Sequence, residues 1–259
     1  MPFHRYVALG DSFAEGVGDP DAHSPNGLRG WADRVAGVLA QQTPGFRYAN
    51  LAIRGRKLDA VIAEQLEPAV ALEPDLLTIY AGANDVLRPR VDLDDLAAAY
   101  DAAVGRLAAS GARVVMFTIF DPGSRGIYAA MRGRMAIFNE FAREISDRHG
   151  AALVDMWRMR DQAIAEVMDT DRMHLNPIGH QHIALAVLDA LGIEHAEERL
   201  PRSALPVLSR SERLRADAAW TRDFLAPWVH RRLTGRSSGD GISPKRPALA
   251  PIEPPSRVG

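Results

Sequence analysis

Short apolar segments alternate with segments of helical periodicity along most of this 259-residue chain. The predicted strands cover residues 7–9, 46–51, 75–81, 112–119 and 152–155. The predicted helices cover residues 30–42, 58–66, 93–109, 131–148 and 177–191. Strands and helices that alternate at such short intervals are typical of a parallel sheet with helices on both faces. We therefore predict a three-layer α/β/α architecture with a mainly parallel five-stranded sheet.

The length of the chain allows one large α/β domain and a smaller appendage. We place the end of the domain at residue 192 and predict a helical C-terminal extension over residues 193–234. The aromatic residues of this extension we assign to packing. Residues 235–259 are rich in Pro, Gly and Ser, so we predict that this tail is disordered and dispensable, with docking on the domain as the alternative.

The composition excludes several classes of function and location. A formal net charge of −2 gives no bulk electrostatic attraction to nucleic acid or to an anionic membrane. The chain has no cysteine, which excludes disulfides, thiolate metal sites and a cysteine nucleophile. We find no apolar run of about 18 residues that would predict a membrane span, and no secretory signal pattern. These features favour a cytoplasmic protein, and they leave the oligomeric state open.

A polar turn made of Gly10, Asp11 and Ser12 follows the first predicted strand. A side chain on such a turn lies at the carboxyl edge of a parallel sheet, where open α/β folds place their ligand chemistry. We interpret Ser12 as a candidate nucleophile. Taken alone, Gly-Asp-Ser is an ordinary turn tripeptide, so the hypothesis depends on the rest of the chain.

Three later segments lie at the same predicted edge of the sheet. Gly55 follows the second strand, Asn84 follows the third, and Asp171 and His174 occupy the loop before the last domain helix. Two of them have a structural alternative: Asn84 could cap the following segment, and Asp171 and His174 could be a solvated pair in a loop. The agreement of all the segments at one edge favours a functional site.

Together these segments resemble the SGNH family, the GDSL-type esterases and lipases, over roughly residues 4–192. The four signature residues of that family would be Ser12, Gly55, Asn84 and His174. One departure is Phe13, which stands where the family name has Leu and which we interpret as a packing neighbour. The resemblance implies a flavodoxin-like fold and hydrolysis of a small-molecule carboxylic ester, either an acyl or an acetyl ester, without a metal or other cofactor.

The chemistry of ester hydrolysis gives each of these residues a role. Serine needs an adjacent base, which His174 can provide, and Asp171 can orient the imidazole and stabilise its charged form. The tetrahedral intermediate needs hydrogen-bond donors for its negative oxygen. The candidates for this oxyanion hole are the backbone N–H groups of Ser12 and Gly55 and the side-chain amide of Asn84.

Two histidines rival His174 as the base. His180 and His182 fall inside the last predicted domain helix. Because catalytic groups favour loops, we predict structural roles for both. The chain also lacks the phosphate-binding motifs of P-loop and Rossmann proteins, so nucleotide binding is poorly supported.

Two other classes of function stay open from the sequence. A metal-dependent phosphoesterase would take its ligands from Asp11, Asp85, Asp171, His174 and His180. The chain has no compact ligand pair of the kind such sites use, and a metal site would leave Ser12 unexplained. A non-catalytic binding protein could keep the same fold, although the intact set of signature residues argues against it. Lipid acyl esters, acetylated sugars and thioesters all stay candidate substrates.

Overall fold

The computed structural model describes residues 2–124, 127–159, 164–201 and 208–252. Within these residues one six-stranded sheet forms. Its strands are β1 (Arg5–Gly10), β2 (Arg47–Asn50), β3 (Leu76–Tyr80), β4 (Arg113–Phe117), β5 (Ala152–Val154) and β6 (Arg246–Ala250). Their order across the sheet is β5-β4-β3-β1-β2-β6, and all neighbours are parallel except β6, which runs antiparallel to β2.

Helices connect and flank these strands. They are α1 (Ser12–Glu15), α2 (Gly30–Gln42), α3 (Leu58–Val61), α4 (Glu67–Ala71), α5 (Ala83–Val86), α6 (Leu93–Ala108), α7 (Arg132–His149), α8 (Ile164–Val167), α9 (Pro177–Ala190), α10 (Arg210–Trp220) and α11 (Ala226–Leu233). A π-helical turn, Ile62–Leu66, joins α3 to α4, and a second, Thr221–Leu225, joins α10 to α11. No helix of the described residues has the length and apolar character needed to cross a bilayer.

The sheet separates two apolar cores, because successive side chains of a strand point to opposite faces. Tyr6 and Ala8 of β1 contact a core completed by α2 and α9. Val7 and Leu9 contact the second core, which α3, α6 and α7 complete. All four side chains are fully buried, as expected for a parallel strand that is covered on both faces. The predicted three-layer architecture is therefore confirmed.

The predicted count of five strands is wrong, because β6 adds a sixth from the segment that we predicted to be disordered. Tyr48 of β2 pairs with Ala250, and Asn50 pairs with Arg246. Pro247 lies within β6, and a proline is tolerated there because β6 is at the edge of the sheet. The pairing depends on a distant strand, so the local composition of the tail gave no indication of it.

A buried ion pair holds the start of this tail strand on the domain. The amino group of Lys245 lies 2.8 Å from the Asp33 carboxylate of α2, and both side chains are almost completely buried. The same amino group donates to the carbonyl oxygens of Leu28 and Arg29, at 3.2 and 2.6 Å. Residues 235–252 are thus docked on the domain, which was the alternative to the predicted disorder. Residues 253–259 lie outside the described part of the chain, and the domain boundaries at 192 and 234 stay predictions.

Candidate active site

Ser12 lies directly after β1, at the first residue of the short helix α1. Asp11 caps this helix, since its carboxylate accepts a hydrogen bond of 3.0 Å from the Phe13 N–H. Gly10 has a φ of 142°, and a Cβ at this position would collide with the carbonyl oxygen of Tyr80. Only glycine fits such a turn. The local sequence therefore brings the Ser12 hydroxyl out at the carboxyl edge of the sheet.

Gln65 holds the end of β1 in place beneath this turn. Its Oε1 accepts from the Gly10 N–H at 2.8 Å, and its Nε2 donates to the Gly10 carbonyl oxygen at 2.9 Å. The side chain is buried and comes from the π-helical turn between α3 and α4. From the sequence, Gln65 falls within the predicted helix over residues 58–66, and no local pattern marks its contact across 55 residues.

His174 connects Ser12 to Asp171 through the two nitrogens of its imidazole ring. Nε2 lies 2.9 Å from the Ser12 hydroxyl oxygen. Nδ1 lies 2.5 Å from Oδ2 of Asp171. The structure therefore brings together the three residues that the sequence analysis named as nucleophile, base and orienting carboxylate.

Asp171 is held by the backbone of its own loop as well as by the imidazole. Its Oδ1 accepts from the N–H groups of Met173 and His174, at 2.8 and 2.9 Å. Burial raises the pKa of this carboxyl, but the hydrogen bonds from His174 and Met173 outweigh burial, so its pKa lies below the ordinary value. Asp171 is consequently ionised at neutral pH and can stabilise a positive charge on the ring.

The three candidate donors of the oxyanion hole differ in whether they already donate a hydrogen bond to another group. The backbone N–H groups of Ser12 and Gly55 donate to no other residue in the described part of the chain. The Asn84 amide, in contrast, donates to Oδ2 of Asp11 and to the carbonyl oxygen of Arg56, both at 3.0 Å. Since an amide carries two N–H hydrogens, donation by Asn84 to an oxyanion requires one of these bonds to be exchanged.

The carboxyl group beside Asn84 has an unusual proton affinity. Burial raises the pKa of Asp11 to about 7, against the opposing effects of the Phe13 N–H and of His174. The nearby carboxylates of Asp85 and Glu15 act in the same direction as burial. Asp11 therefore titrates near neutral pH directly beside a candidate oxyanion donor, which the sequence analysis did not foresee.

The two rival histidines lie in α9 and have backbone partners. Nδ1 of His180 accepts from the Trp31 N–H at 3.1 Å, and its Nε2 donates to the carbonyl oxygen of Val17 at 3.0 Å. The ring of His182 lies 3.2 Å from the carbonyl oxygen of Leu200. Both side chains are buried. These contacts support the structural roles predicted for both residues.

The five residues of the metal alternative do not form a ligand cluster. Over the described ranges, no group of three or more His, Asp or Glu side chains is placed to hold a metal ion. Asp85, one of the five, accepts a hydrogen bond of 2.9 Å from the Leu58 N–H and so braces the start of α3. The residues that the metal alternative would use are thus engaged in structural contacts or in the chain of hydrogen bonds to Ser12.

Comparison with known proteins assigns the chain to a family. The sequence model of the GDSL-like lipase/acylhydrolase family matches residues 8–182. The chain belongs to this family. An acetylxylan esterase from Geobacillus stearothermophilus is 26% identical over 224 residues, which cover 75% of this chain and 97% of that protein.

Solved structures of other hydrolases share the fold. An alpha/beta hydrolase enzyme from the metagenome of Lake Arreo, Spain, has a TM-score of 0.61 and 25% identity, and the match covers 73% of this chain and 95% of that chain. An acetylxylan esterase from Geobacillus stearothermophilus has a TM-score of 0.61 and 22% identity, covering 74% and 95%. As a GDSL-like acylhydrolase, the chain is a carboxylic ester hydrolase.

A cavity of about 980 Å³ opens beside Ser12 and His174. Its walls come from the loops at the carboxyl edge of the sheet and from α10 and the π-helical turn that follows it. The lining is mostly apolar, and it includes Asn84 together with Ser12 and His174. Gly55 is not part of the lining, and it lies next to Arg56, the acceptor of the Asn84 amide.

Trp220 of α10 contacts the loop of Asp171 from beyond the segment that the family model matches. Its indole N–H donates to the carbonyl oxygen of Asp171 at 2.8 Å. The guanidinium of Arg172 lies 5.1 Å from the centre of the Trp220 ring and pairs with Asp217 at 2.7 Å. The sequence analysis assigned the aromatic residues of this extension to packing and missed this contact, because no pattern in the extension points to a loop 49 residues away.

Proposed function

We propose that this chain is a serine hydrolase that cleaves carboxylic esters, with Ser12 as nucleophile, His174 as base and Asp171 as the orienting carboxylate. The observation that carries the proposal is the unbroken chain of hydrogen bonds from Asp171 to His174 (2.5 Å) and from His174 to Ser12 (2.9 Å). This chain ends in a cavity large enough for an organic ester.

The first half of the reaction transfers the acyl group to the enzyme. The Ser12 oxygen attacks the ester carbonyl carbon while Nε2 of His174 takes the hydroxyl proton, and ionised Asp171 stabilises the imidazolium. The bond between the carbonyl carbon and the alcohol oxygen then breaks. His174 returns the proton to the leaving alcohol, and the acyl group remains on Ser12.

The second half uses water in place of the serine hydroxyl. His174 removes a proton from a water molecule, which attacks the acyl-enzyme carbonyl carbon. Collapse of this intermediate breaks the bond to the Ser12 oxygen, and His174 returns the proton to it. The products are a carboxylic acid and the free enzyme.

The oxyanion of both intermediates would be held by the N–H groups of Ser12 and Gly55 and by the Asn84 amide. The two backbone donors have no acceptor among the described residues, which supports this assignment. In the amide, the oxyanion would replace either Asp11 or the Arg56 carbonyl oxygen as acceptor. Loss of one such donor typically costs about 3–4 kcal/mol of barrier.

The proposal predicts that Ser12→Ala abolishes ester hydrolysis without unfolding the protein. We expect a fall in kcat of at least about 10³-fold, because residues of one catalytic unit are individually indispensable. A fluorophosphonate probe should label the wild type at Ser12 and leave the variant unlabelled. Turnover of aryl acetate and octanoate esters, with the melting temperature as a folding check, provides the measurement.

Two controls make this test specific. Ser24→Ala removes a hydroxyl that donates to Asp21 and does not line the cavity, and it should keep full activity. A strong chelator should leave wild-type turnover unchanged, whereas a metal-dependent phosphoesterase would lose it. A Ser12→Ala enzyme within tenfold of the wild type would remove Ser12 as the nucleophile.

A further inference from the structure

The extension formed by α10, its π-helical turn and α11 contributes α10 and the turn to the cavity wall and is attached to two other parts of that wall. At one side Trp220 and Asp217 bind the loop of Asp171 and Arg172, as described above. At the other side Arg232 donates to the carbonyl oxygen of Leu87 at 2.7 Å. Leu87 directly follows the helix that begins next to Asn84. The extension thus joins the loop that carries His174 to the end of α5, the helix that carries Asn84.

The side chains of the extension that line the cavity are mostly apolar. Ala216, Ala219, Trp220 and Phe224 all line the cavity. Their spacing of three, four and eight residues places them on one side of a helix. The facing walls also carry apolar side chains, among them Leu87, Ile119, Tyr128, Met135, Met168 and Met173. A chain of methylene groups would therefore contact apolar atoms on opposite sides.

Three charged side chains that line the cavity, Arg172, Asp223 and Asp169, already have partners. Arg172 pairs with Asp217 and covers one face of the Trp220 ring, so that face is not free to stack on a sugar. Asp223 is paired with Arg222, and Asp169 accepts from the Thr170 N–H. A carbohydrate needs hydrogen-bond partners for each of its hydroxyls, because a buried polar group without one is costly.

We propose that the C-terminal extension determines the acyl specificity: the acyl chain of the ester lies beneath α10, where Ala219, Trp220 and Phe224 contact it and favour a straight aliphatic chain longer than acetate. The volume of about 980 Å³ is near the upper end of the range for pockets that enclose drug-sized ligands. An acetyl group would leave most of it unfilled. The inference rests on the proposed function, since it takes Ser12 as the point of attachment.

The test compares kcat/KM for esters of different acyl chain length in the wild type, in two variants of lining residues and in one control variant. Burial of each methylene favours binding by about fourfold, so we expect kcat/KM for p-nitrophenyl octanoate to exceed that for the acetate at least tenfold. Ala219→Trp fills the space beneath the helix and should lower kcat/KM for the octanoate at least tenfold. It should lower kcat/KM for the acetate by a clearly smaller factor, and an unchanged melting temperature shows that the variant is folded.

Ala218→Trp is the control, because Ala218 is the adjacent residue of the same helix, is exposed and does not line the cavity. It should leave both substrates unchanged. A second variant, Phe224→Ala, removes an apolar contact without adding bulk and should raise KM for the octanoate more than for the acetate. Octanoate ion should inhibit acetate hydrolysis competitively in the wild type and less strongly in both lining variants.

The outcomes separate this inference from the function on which it rests. A wild type that prefers the acetate or an acetylated xylo-oligosaccharide, with Ala219→Trp without selective effect, would overturn the acyl-chain assignment and leave the serine hydrolase intact. Equal losses for both esters in Ala219→Trp and Ala218→Trp would also overturn it. If no ester is hydrolysed and Ser12 is not labelled, the proposed function itself fails.

Discussion

The side chain of Asn84 has both a structural and a proposed catalytic role. We expect Asn84→Ala to lower kcat by about 10²–10³, the loss typical of an oxyanion donor. Asn84→Asp keeps the size but places a carboxylate beside Asp11, where a raised pKa already indicates resistance to negative charge. It should lose at least as much turnover and should melt at a lower temperature. Steady-state kinetics and thermal melting of both variants provide the measurement.

The alternative role for Asn84 is a purely structural one, and the same variants distinguish it. A local cap or brace would make Asn84→Ala lose about 1 kcal/mol of stability while its turnover stays within tenfold of the wild type. That pattern would remove Asn84 from the site. The Asp11 neighbour makes the aspartate variant less suitable for this distinction than the alanine variant.

His180 is expected to make the folded protein sensitive to acid. Burial lowers its pKa to about 4, although the Val17 carbonyl oxygen opposes this. Between about pH 6.5 and pH 4 the unfolded chain binds a proton at this residue and the folded protein does not. Unfolding therefore takes up a proton in this window, and the free energy of unfolding falls by about 3 kcal/mol as the pH is lowered through it.

Replacement of His180 isolates this contribution. The difference in unfolding free energy between wild type and His180→Gln, measured by denaturant titration, should shrink by about 3 kcal/mol from pH 7 to pH 4. The exposed His4→Gln serves as control and should follow the wild type at every pH. A difference in unfolding free energy that does not change with pH would contradict the lowered pKa of His180. Full ester hydrolysis by His180→Gln at pH 7 would also exclude it as the base.

At the scale of elements, the tail from residue 236 onward is docked on the domain through β6, so its removal should lower the stability of the protein. Truncation after Gly235 deletes β6 and Lys245, which leaves Asp33 buried without the cation 2.8 Å away. Removal of one partner of a buried pair costs about 3–5 kcal/mol, which corresponds to a fall in melting temperature of about 10 °C for a domain of this size. This reverses the expectation from the sequence that the tail is dispensable.

Truncation after Gly235 should lower the turnover of the enzyme as well as its stability. Ser237 and Ser238 lie against Gly55, where a Cβ would collide with their hydroxyls, and Arg56 faces Asp240 at 3.9 Å. The loop of a proposed oxyanion donor thus loses its support. Truncation after Ile252 keeps every described contact and is the matched control. Equal melting temperatures and turnover for the two truncations would contradict the docking of β6.

Elements differ in how far the sequence alone could predict them. The strands β1 and β3 are buried on both faces over most of their length, so they are largely apolar and easily recognised. The strand β6 is partly exposed, contains Pro247 and exists only through its pairing with β2. Its signal is therefore tertiary, and composition pointed to disorder. The π-helical turn that carries Gln65 falls within the predicted helix over residues 58–66, but helical spacing does not distinguish a π-helical turn from an α-helix.

The residues of the candidate site also differ in how far the sequence could predict their positions. Ser12, Asn84, Asp171 and His174 each follow a strand or precede a helix, and the topology of a parallel sheet brings such positions to one edge. Their proximity could therefore be predicted from order along the chain. The contacts of Gln65, Asp11 and Trp220 depend on which side chains happen to meet across the fold, and no spacing in the sequence encodes them.

For the whole molecule, the sheet places β1 near its centre, with β3 on one side and β2 on the other. Ser12 follows β1, and Asn84 follows β3 directly beside it. The two strands that carry these residues are thus fixed by neighbours on both sides and by a core on each face. His174 is positioned independently by the loop before α9, whose helix packs on α2. Rigid central strands combined with one loop suit a site that requires tight geometry.

The antiparallel strand β6 has a further consequence for how copies of this chain behave at high concentration. It pairs with the outer edge of β2, about 200 residues away along the chain. A sheet edge with free N–H and C=O groups is a template for pairing with another molecule. A copy whose tail has come away would expose β2 in this way, while also releasing the loop of Gly55. Aggregation and loss of turnover would then arise from the same opening event, so conditions that keep the tail docked should protect both solubility and activity.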